Sequence, residues 1–131
     1  MAILSRDAIL SAEDRTFGEV DVPEWGGTVR IRSITGKQRD SYEASLIQQR
    51  GNSRQMNMRN ARAKLIVLCA VDEHGSPLFT ENDINALGAK NAKPVERVFD
   101  ACRKIAGLSD DDMDKLTEDF DATQGDDSAT D

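Results

Sequence analysis

Aromatic side chains are scarce in this chain: Trp, Tyr and Phe make up 5% of its 131 residues. The core must therefore be mainly aliphatic and cannot be large. Histidine is scarcer still, with His74 alone. One imidazole leaves no nucleophile–base–acid set legible, and the chain carries neither a His-Glu-x-x-His motif nor a Gly-rich phosphate loop. Asp72-x-His74 reads as a solvated turn, because Ser76 and Pro77 follow where a calcium loop needs further oxygen ligands. The two cysteines, Cys69 and Cys102, have no Cys-x-x-Cys spacing and each falls within an apolar helical pattern. They read as buried thiols acting as small hydrophobes, so neither a disulfide nor a metal centre is expected, and no cofactor. Long apolar runs are missing too. Leu65 to Val71, the densest stretch, is far too short to span a bilayer. Met1-Ala-Ile-Leu-Ser-Arg6 lacks the basic start and apolar segment of a secretion signal. These absences point to a cytosolic protein that is not an enzyme and does not engage a membrane.

Charge is plentiful, at 31% of residues and a net -7, but unevenly placed. From Asp110 onward there are ten acids against Lys115 alone, a local charge of -9 that leaves +2 for residues 1 to 109. The body is near neutral, and no uniformly basic face for nucleic acid is evident. Arg54, Arg59, Arg62 and Lys64 read as a solvated helix face. An acidic protein partner or the chain's own acidic tail would suit them next. A DNA-binding regulator, an alternative reading, would need its recognition helix in that stretch.

Along the chain, residues 1–16 read as a weakly ordered arm with Ile3, Leu4, Ile9 and Leu10 as scattered apolar positions. Residues 17–34 predict a β-hairpin. Val20 and Val22 alternate with Glu19 and Asp21 before a Pro-Glu-Trp-Gly-Gly turn, and Val29 and Ile31 alternate with Arg30 and Arg32 after it. An acidic arm facing a basic one suggests cross-strand charge pairs. Trp25 at the turn either packs down on the body or stands out as an anchor for a partner. Thr35 with Gln38 forms a capping box that starts a helix over 36–50. Gly51-Asn52-Ser53 breaks the pattern, and a second helix is predicted over 54–71, its second half apolar all round. Shorter helices are expected over 81–87, capped near Thr80, and over 92–106, where Val95, Val98, Phe99, Cys102, Ile105 and Ala106 form a stripe ended by Gly107. Ser109 with three aspartates opens a last helix over 110–119, with Met113, Leu116 and Phe120 as a weak apolar face. Residues 121–131 cannot bury enough surface to offset ordering entropy and read as a disordered acidic tail. The fold class is thus mainly α: one small helical domain, 17–120, with an N-terminal β-hairpin.

The order of these signals resembles the tail assembly chaperones of long-tailed bacteriophages over residues 18 to 120. The resemblance is carried by the Val22 to Arg32 block, the Thr35-Gly-x-x-Arg39 helix start, Val71-Asp-Glu-x-Gly-x-Pro-Leu-Phe-Thr-x-x-Asp-Ile84, and the Ala106-Gly-Leu-Ser109 helix end. It implies a role without chemistry. Such proteins are encoded beside the tape measure protein, coat that aggregation-prone chain in the host cytoplasm while the tail tube is built, and leave before the virion is finished. Many also exist in a longer frameshifted form whose extra domain is thought to recruit tube subunits, so the major tail tube protein is an implied partner of that form. This chain resembles the short form. Self-association is open, and a structural tail component such as a terminator or connector is the alternative. The resemblance carries over no binding residues. From their own character, Trp25, Tyr42 and Leu46 are the first expected partner contacts, with Met56 and Arg59 next.

Overall fold

The computed structural model describes residues 2–51, 53–56 and 58–108. Its hairpin forms as the alternation requires. Strands β1 (Phe17–Val22) and β2 (Gly27–Arg32) pair antiparallel with Val20 opposite Val29. Val20, Val22 and Ile31 are buried on one face. A single 3-10 turn, Pro23–Trp25, joins the strands. Proline starts it with a fixed φ, and Gly26 ends it at φ 81, a left-handed conformation that costs glycine little.

The expected cross-strand charge pairs are replaced by other contacts. Glu19 stands opposite Arg30, yet Arg30 donates to the Glu73 carbonyl (3.1 Å) and lies over the Phe17 ring. Arg32 likewise donates to the Gly75 carbonyl (3.2 Å), and Asp21 accepts from the Thr28 hydroxyl (3.0 Å). The basic strand is thus tied to the turn at residues 72–76. A lone hairpin is marginal in water. Here a third strand, β5 (Ala70–Val71), pairs antiparallel with β2, giving the sheet order β1-β2-β5.

Helices cover the other side. α1 (Arg6–Ser11) is capped by the Ser5 hydroxyl but buries no residue. Ile3, Leu4, Ile9 and Leu10 are all exposed. α2 (Gly36–Ser45) opens on the capping box, with the Gln38 amide donating to Thr35 Oγ1 (3.1 Å) and the Thr35 amide to Gln38 Oε1 (2.9 Å). It ends at Ser45, short of the helix read over 36–50. Residues Ile47–Arg50 form β3, which pairs with β4 (Ser53–Met56) across the two-residue link Gly51-Asn52. Gly51 sits at φ 60, the sign a two-residue hairpin loop needs. The helix read over 54–71 is corrected in the same way. Its first residues are strand, and α3 runs only from Ala61 to Cys69, after Asn60 has taken a left-handed conformation at φ 58. α3 is buried through Leu65, Ile66 and Cys69 and passes directly into β5.

The 72–76 turn is closed by Asp72, whose Oδ1 accepts from the His74 and Ser76 amides. Those bonds, Ser76 first, hold its carboxyl below the usual range. His74 is exposed, as a turn residue should be. A 3-10 turn (Glu81–Asp83) leads into α4 (Ile84–Gly88), and α5 follows (Ala92–Ile105). On α5, Val95, Val98 and Cys102 are buried, with Phe99 and Ile105 packed beside them. The free cysteines Cys69 and Cys102 are both fully buried, and a hydrogen bond to Cys69, with burial, pushes the Cys102 thiol up. The helix read over 110–119 and the tail over 121–131 lie outside the described residues. No described helix is long and apolar enough to cross a membrane.

One ion pair fixes the hairpin turn to α5. Arg97 donates to both carboxylate oxygens of Glu24, at 2.6 and 2.8 Å. Those hydrogen bonds are the main reason the Glu24 pKa falls from 4.5 to about 2. A depressed carboxylate stabilises the fold above its unfolded pKa, and that contribution is lost as pH falls through the folded value. Wild type should therefore lose, between about pH 4.5 and 2, a share of stability that Glu24→Gln lacks at every pH. Thermal melts across that window check this, and parallel acid limbs for the two proteins would refute it.

Candidate partner-docking surface

Trp25, held over α4 by the anchored turn, overhangs a shallow apolar hollow of about 220 Å³. Its wall and floor are Trp25, Phe79, Ala86 and Leu87, with Asp83 and Lys90 also lining it. Each element reaches the hollow for a local reason. Val71 bridges to Pro77 and the Leu78 amide donates to the Ala70 carbonyl (3.1 Å), so the chain leaving the turn runs beside β5 and delivers Phe79. The Thr80 amide donates to Asp83 Oδ2 (2.9 Å), which starts the 3-10 turn before α4. On α4, Leu87 points into the core while Ala86 stays exposed at the edge of the hollow. A concavity this size takes one or two apolar side chains, and the acid and the base lining it suit a partner that is polar around that anchor.

A second depression runs between α3 and α5. One part, about 230 Å³, is lined by Met58, Ala61, Arg62, Glu96, Phe99, Asp100 and Arg103. It shares Met58, Ala61, Arg62 and Glu96 with a part of about 430 Å³ that reaches Gly88, Lys90 and Ala92. Arg62 pairs with Glu96 and lies over the Phe99 ring, and Arg103 pairs with Asp100 (3.4 Å). A Cβ at Gly88, beside this groove, would lie 2.6 Å from Asn60 Oδ1, so the Asn60 side chain would have to shift. Among the described residues, no three His, Cys, Asp or Glu side chains are placed to hold a metal ion.

The residues singled out from sequence do not gather in one place. Trp25 is half-buried and lines the hollow. Tyr42 and Leu46 are buried at 2% and 0% exposure, out of reach of a docked partner, so their place is in the core. The Tyr42 hydroxyl donates to the Ala61 carbonyl (3.1 Å), and burial pushes its pKa up to about 12. Met56 lies on β4, its backbone opposite Ile47. Arg59 is exposed in the turn before α3. The basic cluster is also divided, because Arg54 falls on β4 and not on a helix with Arg62 and Lys64. That removes the continuous recognition helix a DNA-binding reading needed. Nothing in the spacing of Phe79 and Leu87 signals that they line one hollow with Trp25.

The family model for phage tail assembly chaperones matches residues 5–116. No curated protein sequence matches the chain. Among solved structures the chain is similar to the bacteriophage HK97 tail assembly chaperone, at 16% identity and a TM-score of 0.54, over 79% of this chain and 92% of that one. At that identity the likeness concerns the fold.

Proposed function

The chain belongs to the phage tail assembly chaperone family, and from that premise we propose that it binds the tape measure protein, keeps it soluble and so helps the tail tube assemble. It acts without catalysis in the host cytoplasm and is left out of the mature virion. A longer frameshifted form would bring in the major tail tube protein.

The observation that carries this reading is the apolar hollow under Trp25, open to solvent and sized for the anchor side chain of an amphipathic helix. One such contact is weak, which suits a partner that must later be released, while many copies along one long helix supply avidity. Co-expression with the tape measure protein of the same phage, followed by affinity capture of the soluble fraction, tests it. The tape measure protein should become soluble and co-purify. An insoluble tape measure protein with this chain unbound refutes the reading, and finding the chain in purified virions would favour a structural tail component.

A further inference from the structure

Strand β1 has a partner on one side only. It stands first in the sheet order β1-β2-β5, and its register with β2 runs one to one from Phe17 opposite Arg32 to Val22 opposite Gly27. The direction of its backbone groups follows from bonds at both ends of the sheet. The Ser33 amide donates to the Thr16 carbonyl (2.8 Å), so Thr16 faces β2, and alternation turns Gly18, Val20 and Val22 the same way. The far strand agrees. The Ala70 amide donates to the Ile66 carbonyl and its carbonyl accepts from the Leu78 amide, so Val71 and not Ala70 faces β2. Arg30, opposite Val71, therefore faces β5, and Glu19, opposite Arg30, faces away from β2. The amides and carbonyls of Phe17, Glu19 and Asp21 thus point along the open side of the sheet. All three residues are exposed. Among the described residues, no hydrogen bond outside the β1–β2 ladder reaches these groups.

Proteins close a sheet edge with a proline, a bulge, an inward-pointing charge or a covering element. From Phe17 to Val22 there is no proline, the register is unbroken, and the inward Gly18, Val20 and Val22 are uncharged. α1, the helix just before the strand, buries none of its residues. What the edge carries is negative charge. Glu19 and Asp21 stand on its outer face, with Glu13 and Asp14 just ahead of the strand. Arg30 and Arg32, across from Glu19 and Phe17, are drawn off to the Glu73 and Gly75 carbonyls. Neither Glu19 nor Asp21 has an ion pair among the described residues. Such an edge repels its own copy and favours a basic strand. Apolar contact is available on both faces. Phe17 is half exposed on the outer one, and half-buried Ile105 lies beneath Gly18 on the inner, 3.2 Å from where a Cβ would stand.

We propose that the free edge of β1 accepts an extended segment of a partner protein as a fourth strand, one in which Lys or Arg alternates with small or apolar residues. Its backbone bonds to Phe17, Glu19 and Asp21, its basic side chains lie beside Glu19 and Asp21, and the alternate side chains turn toward Ile105. This surface is separate from the hollow under Trp25 and takes a strand instead of a helix, so it stands independently of tape measure binding.

The chain's own β2 has the required pattern, so the probe is a capped peptide with the sequence of residues 27–33, Gly-Thr-Val-Arg-Ile-Arg-Ser. Titrated into the isotope-enriched full chain, it should shift the amide signals of residues 17–21. At saturation it should slow hydrogen exchange at Phe17, Glu19 and Asp21 roughly tenfold or more. The same peptide with its alternate amides N-methylated, or with both arginines replaced by glutamate, should not bind. Glu19→Lys combined with Asp21→Lys, at exposed positions, should reverse the preference, losing the arginine peptide and taking the glutamate one. The peptide arms leave the chain unaltered and decide the matter even where that double variant fails to fold. No shift at all, shifts centred on Trp25 or on the α3–α5 groove, or equal binding of the two peptides would overturn the proposal. So would slow exchange at the three amides in the chain alone, since the edge would then be covered already, by a second copy where the protection fades on dilution and by the chain itself where it persists.

Discussion

Ala86→Glu is expected to leave the chain folded and to weaken the tape measure binding proposed above at least tenfold, about 1.4 kcal/mol or more. Ala86 is exposed on α4 and lines the hollow beneath Trp25. A carboxylate projected there stands beside Phe79 and Leu87, and a docked apolar side chain would have to strip its water. Glutamate is a good helix former and the site is solvated, so stability should stay within about 0.5 kcal/mol of wild type. Titration of a soluble tape measure fragment, paired with a thermal melt, separates the two effects. An unchanged affinity would move the binding surface away from the hollow. A lost melting transition would show that Ala86 matters to the fold instead.

Leu46→Ala should do the opposite. Leu46 is fully buried against the cluster that includes Tyr42, Leu65 and Ile66. Removing three carbons from such a site costs about 2–5 kcal/mol, part transfer and part cavity. That is a large fraction of the stability of a domain this size, and the melting temperature should fall by roughly ten degrees or more. Affinity, corrected for the fraction folded, should be unchanged. Weaker binding at an unaltered melting temperature would return Leu46 to the contact surface.

The hairpin was legible because its alternation, its Pro-start turn and its Gly at positive φ all agree. The helix start at Thr35 and the α5 stripe were legible for the same reason: local chemistry and tertiary burial point one way. The β3–β4 hairpin was not. Gln48, Gln49 and Arg50 are good helix formers without period-two apolar character, so tertiary pairing had to override a local preference. The Gly51-Asn52 pair was read as a break between helices, although Gly-Asn is also a two-residue hairpin link. β5 was hidden because two residues carry no periodicity, and Ala70 and Val71 continue the apolar run of α3. As for the hollow, Trp25 stood out as a rare aromatic at a turn. Its neighbours Phe79 and Leu87 lie more than fifty residues away in the chain, and no local signal connects them. Tyr42 and Leu46 were chosen for size and apolar character, qualities that a core position and a contact share.

The direct passage of α3 into β5 has a consequence for how the chain reaches this structure. The first hairpin joins only neighbours, Phe17 meeting Arg32 and Val22 meeting Gly27, so it can form early from a short loop. The third strand cannot, because Arg30 must find Val71 across the whole of α2, β3, β4 and α3. With no linker between Cys69 and Ala70, the strand arrives only when the helix does. Sheet completion and the docking of α3 are therefore coupled: the last strand and the helix that carries it reach the edge of the hairpin together.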